Sequence, residues 1–231
     1  MRTFALTLAV LACAAAPAQA AKVDLMVVGK RSVLRRPAPV ALKAAKVRVS
    51  GRTCRVAGAT PLAVLARTPL RPKLRLEDFA ACSRRPSEAA GLYVRGIGKE
   101  VERGTDGWVY KVGRKVPGLG AGDPAVKLAG GAQVLWFWCR MDAEGCQRTL
   151  AVEPSTTTAA PGETVTVKVT GYDDDGRGKP AAGATVHLGG ATAQAGADGT
   201  ATLTVPAGDR LEAWATSATA VRSFPVELRT G

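Results

Sequence analysis

This chain is short of the side chains that most often do chemistry: one histidine, three tyrosines, four tryptophans and four phenylalanines in 231 residues. Catalysis needs groups placed to move protons or to attack. The lone His187 lies far along the chain from most other polar candidates, and Glu77/Asp78 and Glu100/Glu102 read as carboxylates on the solvated face of strands. No catalytic set emerges, and the chain is expected not to be an enzyme. Metal-ligand spacing is missing too. The cysteines have no paired C-x-x-C steps for zinc. Asp173-Asp174-Asp175-Gly176 is not followed by the acidic residue that an EF-hand places about 12 positions after its first ligand, so a solvated turn is expected there. Neither metal nor cofactor is implied.

Long hydrophobic runs are also absent. Phe4 to Ala16 is a run of roughly 13 residues, against the ~20 that a membrane helix needs, and no later stretch comes near that length. With Arg2 before it and Ala18-Gln19-Ala20 after it, this run has the form of a cleaved secretory leader over residues 1–21. Val10-Leu11-Ala12-Cys13 offers a lipoprotein alternative, but a cut there would leave a very short apolar segment. The product is expected to be secreted or associated with the cell surface, with no transmembrane segment after the leader.

Acidic residues are scarce in one half only. Residues 22–150 hold 25 Lys/Arg against 10 Asp/Glu, whereas residues 151–231 hold 6 against 9. The same boundary separates Cys54, Cys82, Cys139 and Cys146 from a cysteine-free tail rich in Gly, Thr, Ala and Val. Two domains are expected, 22–150 and 151–231. In an exported chain four cysteines imply two disulfides with three possible pairings. The spacing favours Cys139–Cys146, closing a turn-like loop, and Cys54–Cys82.

Strand patterns occur at Val23–Val28 and Val47–Val49, with Pro37 and Pro39 read as a break between them. Thr60-Pro61 starts a short helix, since the Thr hydroxyl can cap free amides and Pro fits the first helical position. Its Leu62/Leu65 side is expected against a sheet. Leu74–Ala80, Leu92–Ile97, Trp108–Val112 and Val134–Trp138 read as further strands. Alternation puts Trp108, Tyr110 and Val112 on one face and Val134, Trp136 and Trp138 on one face of another strand. Phe137 and Trp138 then point oppositely, so one of the two faces is expected to be exposed or covered by the helix, and at least one of these rings is a candidate for the surface. In the tail, Thr164–Thr170, Ala184–Leu188, Thr200–Val205, Leu211–Thr216 and Val221–Leu228 alternate with turn signals such as Asp198-Gly199, the pattern of a β-sandwich.

Thr60–Leu65, Gly91–Ile97, Gly107-Trp108-Val109-Tyr110-Lys111-Val112 and Gly131–Trp138 together resemble the DUF4430 family, over roughly residues 23–150. That family is similar to the C-terminal domain of transcobalamin and intrinsic factor and to SLBB-like β-grasp domains. Its motif continues with Asn-Gly where this chain has Gly113-Arg114. The resemblance implies a β-grasp fold and, by analogy, a small ligand of corrinoid type. Residues 160–229, with Gly183-Ala184-Thr185-Val186 and Asp198–Leu203, look like bacterial Ig-like or carboxypeptidase-regulatory-like modules. The expected class is mostly β: an α+β β-grasp-like domain with one short helix, then an Ig-like β-sandwich.

Two functional readings follow. In the first, an exported non-catalytic protein binds a small molecule through Tyr93, Trp108, Tyr110, Trp136 and Trp138, whose rings otherwise simply fill the core. In the second, a structural or adhesive envelope protein binds anionic surface polymers through the basic domain, where Lys30, Arg31, Arg35, Arg36, Lys43, Lys46, Arg48, Arg52 and Arg55 are dense. The plain reading of that charge is solubility. Nucleic acid is disfavoured by the leader and by the lack of any nucleic-acid-binding motif.

Overall fold

The computed structural model describes residues 20–231. The expected leader, with Cys13, lies outside the described residues except for Ala20 and Ala21. No helix among the described residues is long and apolar enough to cross a membrane.

The first domain runs β1 (Lys22–Val28), β2 (Val33–Ala41), β3 (Ala45–Val49), β4 (Arg52–Val56), α1 (Pro61–Ala66), β5 (Leu74–Asp78), β6 (Leu92–Ile97), β7 (Glu100–Val101), β8 (Gly107–Val112) and β9 (Gln133–Cys139). Its main sheet has the order β2-β1-β9-β8, with β1 parallel to β9 and the outer pairs antiparallel. A mixed sheet of that order, with a helix between its first hairpin and its later strands, is the β-grasp arrangement. The β3–β4 hairpin and the small β5-β6-β7 sheet enclose the same core.

The local signals explain most of these elements. Thr60 is extended at the helix start and its Oγ1 accepts the Ala63 N–H at 3.3 Å, with Pro61 next to it. All six residues of α1 are buried, not only the Leu62/Leu65 side, because the helix lies inside the core shared by the main sheet and the hairpin. Pro37 and Pro39 do not break the chain. They lie within β2, which is the edge of its sheet, and an edge strand can spare the amide hydrogens that proline lacks.

The second domain runs β10 (Thr149–Pro154), β11 (Thr164–Tyr172), β12 (Gly178–Pro180), β13 (Thr185–Leu188), β14 (Ala191–Gln194), β15 (Thr200–Thr204), β16 (Arg210–Thr216) and β17 (Val226–Arg229). One sheet has β10 on one side of β11, with β12 and β15 pairing successive stretches on the other; the second has the order β14-β13-β16-β17. Inward Val165, Val167 and Val169 of β11 meet Val186, Leu188, Ala213, Ala215 and Leu228 of the facing sheet. Together these form an Ig-like β-sandwich. The Asp198–Gly199 turn needs its glycine: φ is +80°, and a Cβ there would stand 2.6 Å from the Val169 carbonyl oxygen. The first strand of the sandwich starts at Thr149, just before the charge break.

Both disulfides favoured by the spacing are formed, Cys54–Cys82 and Cys139–Cys146. The expectation that Phe137 or Trp138 reaches the surface is corrected, since they are 0% and 3% exposed. One face of β9 belongs to the β-grasp core. The other carries Leu135, Phe137 and Cys139, which with Met26 pack against Val221 and Phe224 of the sandwich. Alternation still holds, but the second domain replaces solvent on the outer face of the sheet.

Candidate functional site

The aromatic residues expected to bind a ligand are mostly committed to the core. Trp108 packs edge-on to Trp138 at 5.7 Å between centroids, and Tyr110 lies 5.3 Å from Trp136. Trp108 Nε1 donates to the Glu100 carbonyl at 3.0 Å, and the Tyr110 hydroxyl donates to the Leu119 carbonyl at 2.7 Å. Burial, with Asp123 adding to it, pushes the Tyr110 phenol up to about 12. All four rings belong to one apolar cluster, as a small sheet with little other bulk requires. Tyr93 is 40% exposed beside exposed Phe79 at 6.3 Å, apart from that cluster. Burial, then Glu102, raises its pKa. The five aromatic residues do not converge on one groove.

The β3–β4 hairpin carries the more unusual arrangement. Its inner positions Val47, Val49, Cys54 and Val56 fill the core, so strict alternation turns Lys46, Arg48, Thr53 and Arg55 outward. The register sets Lys46 directly opposite Arg55 and Arg48 opposite Thr53. Arg67 after α1, Arg71 before β5 and Arg84 after Cys82 add to this face. Three adjoining depressions of about 360, 450 and 680 Å³ share Lys46 and are lined by these six cations. No lining residue is acidic, and none of the six cations has a carboxylate partner within 4.0 Å among the described residues. The nearby acids are engaged elsewhere. Asp78 accepts from Arg52 at 3.1 Å and from the Ala80 and Cys82 amides, and Glu77 pairs with Arg95 at 3.2 Å.

Like charges directly opposite on a strand pair destabilise it. The sequence shows the density of cations here, but their convergence comes from the hairpin register and from the fold returning Arg67, Arg71 and Arg84 to it. Cys54, Asp78 and Cys82 also lie close together, but the two sulfurs are bonded to each other and the carboxylate is hydrogen-bonded, so the group is structural.

The junction between the domains contains a buried polar cluster. Lys111 projects from the outer face of β8, fully buried, and its Nζ donates to Thr149 Oγ1 at 3.3 Å, the Tyr172 carbonyl at 3.0 Å and the Asp173 carbonyl at 2.7 Å. Asp174 Oδ1 lies 3.5 Å away. Desolvation lowers the Lys111 pKa, with Asp174 pulling it back. The Asp173-Asp174-Asp175 run is thus not merely a solvated turn: Asp173 meets Arg148 at 3.5 Å, and Asp174 faces Lys111 and accepts the Cys146 amide.

No family model and no curated protein matches the chain. Among solved structures, the D0-D1 domain of intimin is similar at 15% identity over 68% of this chain and 76% of that one, with a TM-score of 0.28. Murine CEACAM1b is similar at 11% identity over 91% of this chain and 100% of that one, with a TM-score of 0.23.

Proposed function

We propose that this is an exported, non-catalytic binding protein that holds an anionic envelope polymer on the outer face of the β3–β4 hairpin. The observation that carries this reading is the set of six cations free of carboxylate partners, with Lys46 set against Arg55. A polymer with regularly spaced charges can neutralise several of them at once and relieve their repulsion. The two disulfides suit folding in an oxidising compartment, in keeping with the leader-like N-terminus. The alternative of a small corrinoid-like ligand stacked on Trp108, Tyr110, Trp136 and Trp138 has less support, because those rings already pack against one another.

The test is binding of the full chain to polyglycerol phosphate and to polygalacturonate across a salt series. Saturable binding that weakens with salt, and weakens at least roughly tenfold in a Lys46→Gln/Arg48→Gln/Arg55→Gln variant, is expected from the loss of charge-assisted contacts. Binding unchanged in that variant, or equally strong for unrelated duplex DNA, would overturn the assignment.

A further inference from the structure

A second cationic site lies where the two domains meet, and it shares no residue with the hairpin face. It is a cleft of about 400 Å³ walled on one side by the β1–β2 turn and the end of β9, and on the other by residues 214–222 of the sandwich. Lys30, Arg31, Arg140 and Arg222 line it together with Trp138 and Trp214. Neither Trp138 nor Trp214 lies bare: Lys30 Nζ sits 3.9 Å over the Trp138 ring, and Arg222 sits 3.9 Å over Trp214, which also stacks on His187 at 3.8 Å. The rings therefore position the cations along the cleft more than they offer free faces to a ligand.

The charge balance in this cleft is one-sided. No carboxylate lines it, and none of its four cations has an acidic partner within 4.0 Å among the described residues. The acids at its margins, Glu100 behind the β1–β2 turn and Glu212 near Arg222, offset them only in part. Glu100 accepts the Lys30 backbone N–H with both carboxylate oxygens, at 2.9 and 3.0 Å. Burial and the nearby Arg36 lower the Arg222 pKa, only partly opposed by Glu212. A half-buried guanidinium that stacks on Trp214 and has Glu212 as its only acidic counterweight, beside three more cations, gains from an anion that joins it. Ser32, Thr216 and Ser217 add hydroxyls to the wall.

We propose that this cleft binds the phosphate group of a small phosphorylated polyol or sugar. Four cations favour a doubly charged phosphate monoester over a singly charged carboxylate, and the phosphate oxygens match arginine forks. The volume exceeds that of a bare ion and leaves room for a hydroxylated body against the serine and threonine side. Because the walls come from both domains, the site exists only while they are docked, and the Phe137–Val221 contact and the Lys111 cluster hold that docking.

Glycerol 3-phosphate is the probe, titrated by calorimetry and by fluorescence of Trp138 and Trp214, with inorganic phosphate and galacturonate as comparators. Saturation tighter than about 1 mM is expected, with galacturonate weaker. Arg222→Ala and Lys30→Ala should each weaken it roughly tenfold or more, while the hairpin triple variant retains it. Both variants remove side chains outside the apolar clusters, and an unchanged thermal transition checks that they fold. No saturation, equal affinity for galacturonate, or unchanged affinity in Arg222→Ala would overturn the proposal. Because the hairpin variant separates the two sites, failure here leaves the polymer reading standing, and failure there leaves this one.

Discussion

Replacing Lys111 with methionine tests how the domains are held together. The side chain is fully buried and its ammonium serves two carbonyls and one hydroxyl of the second domain, at 2.7–3.3 Å, with Asp174 at 3.5 Å. Removing one partner of a buried ion pair costs about 3–5 kcal/mol. Two features reduce that here. Asp174 is 32% exposed and keeps its bond from the Cys146 amide, so it can rehydrate, and methionine fills most of the lysine volume. A loss of about 2–4 kcal/mol is expected, read from urea unfolding together with earlier proteolysis between the domains. Lys111→Met/Asp174→Asn should recover part of it by removing the stranded charge. The pH dependence adds a sign. Burial lowers the native pKa below the usual value of 10.5, so between the two the unfolded chain binds more protons and this residue makes the wild type gain stability as pH rises. Lys111→Met should lose that gain. A variant as stable as wild type, with the junction equally resistant to protease, would refute the reasoning.

Other outcomes follow from single side chains. The Tyr110 phenol holds its proton up to about 12 in the folded chain but releases it near 10.0 when unfolded. Wild-type stability should therefore fall across that window, and Tyr110→Phe should flatten the decline in alkaline unfolding curves. Gly199→Ala should cost about 2–4 kcal/mol, since positive φ is combined with a Cβ 2.6 Å from the Val169 carbonyl oxygen. Gly162→Ala, with φ +89° but open space around it, should cost only about 1 kcal/mol in the same thermal assay; equal losses at the two positions would remove the steric argument.

Local chemistry wrote much of this fold into the sequence. Thr60-Pro61 specifies a helix start through its own hydroxyl and ring, and the alternation in Val165, Val167 and Val169 specifies which side of β11 faces a core. The cysteine spacing was enough to favour the two disulfides, because a short acidic and glycine-containing loop between Cys139 and Cys146 suits closure. β2 was less legible, because Pro37 and Pro39 signal a break unless the strand is known to be an edge. Strands β4, β10 and β14 pair with their neighbours in the chain but carry mixed polar patterns, so their own residues gave no clear alternation. Trp214 and Arg222 gave no sign of a site, since the cleft they line needs a wall from residues nearly two hundred positions away.

The sequence by itself determined that the basic residues cluster in the first domain, that four of the five cysteines lie there too, and which side chains alternate along each strand. These are properties of composition and of the two-residue period of an extended chain. Only tertiary structure decided what each face meets. Phe137, Lys111 and Met26 are buried because a second domain covers the outer side of the β-grasp sheet, and Lys46 meets Arg55 because the hairpin register puts them opposite one another. Periodicity specifies that a side chain turns away from one core, but long-range packing determines whether solvent, a partner domain or another cation lies on the other side.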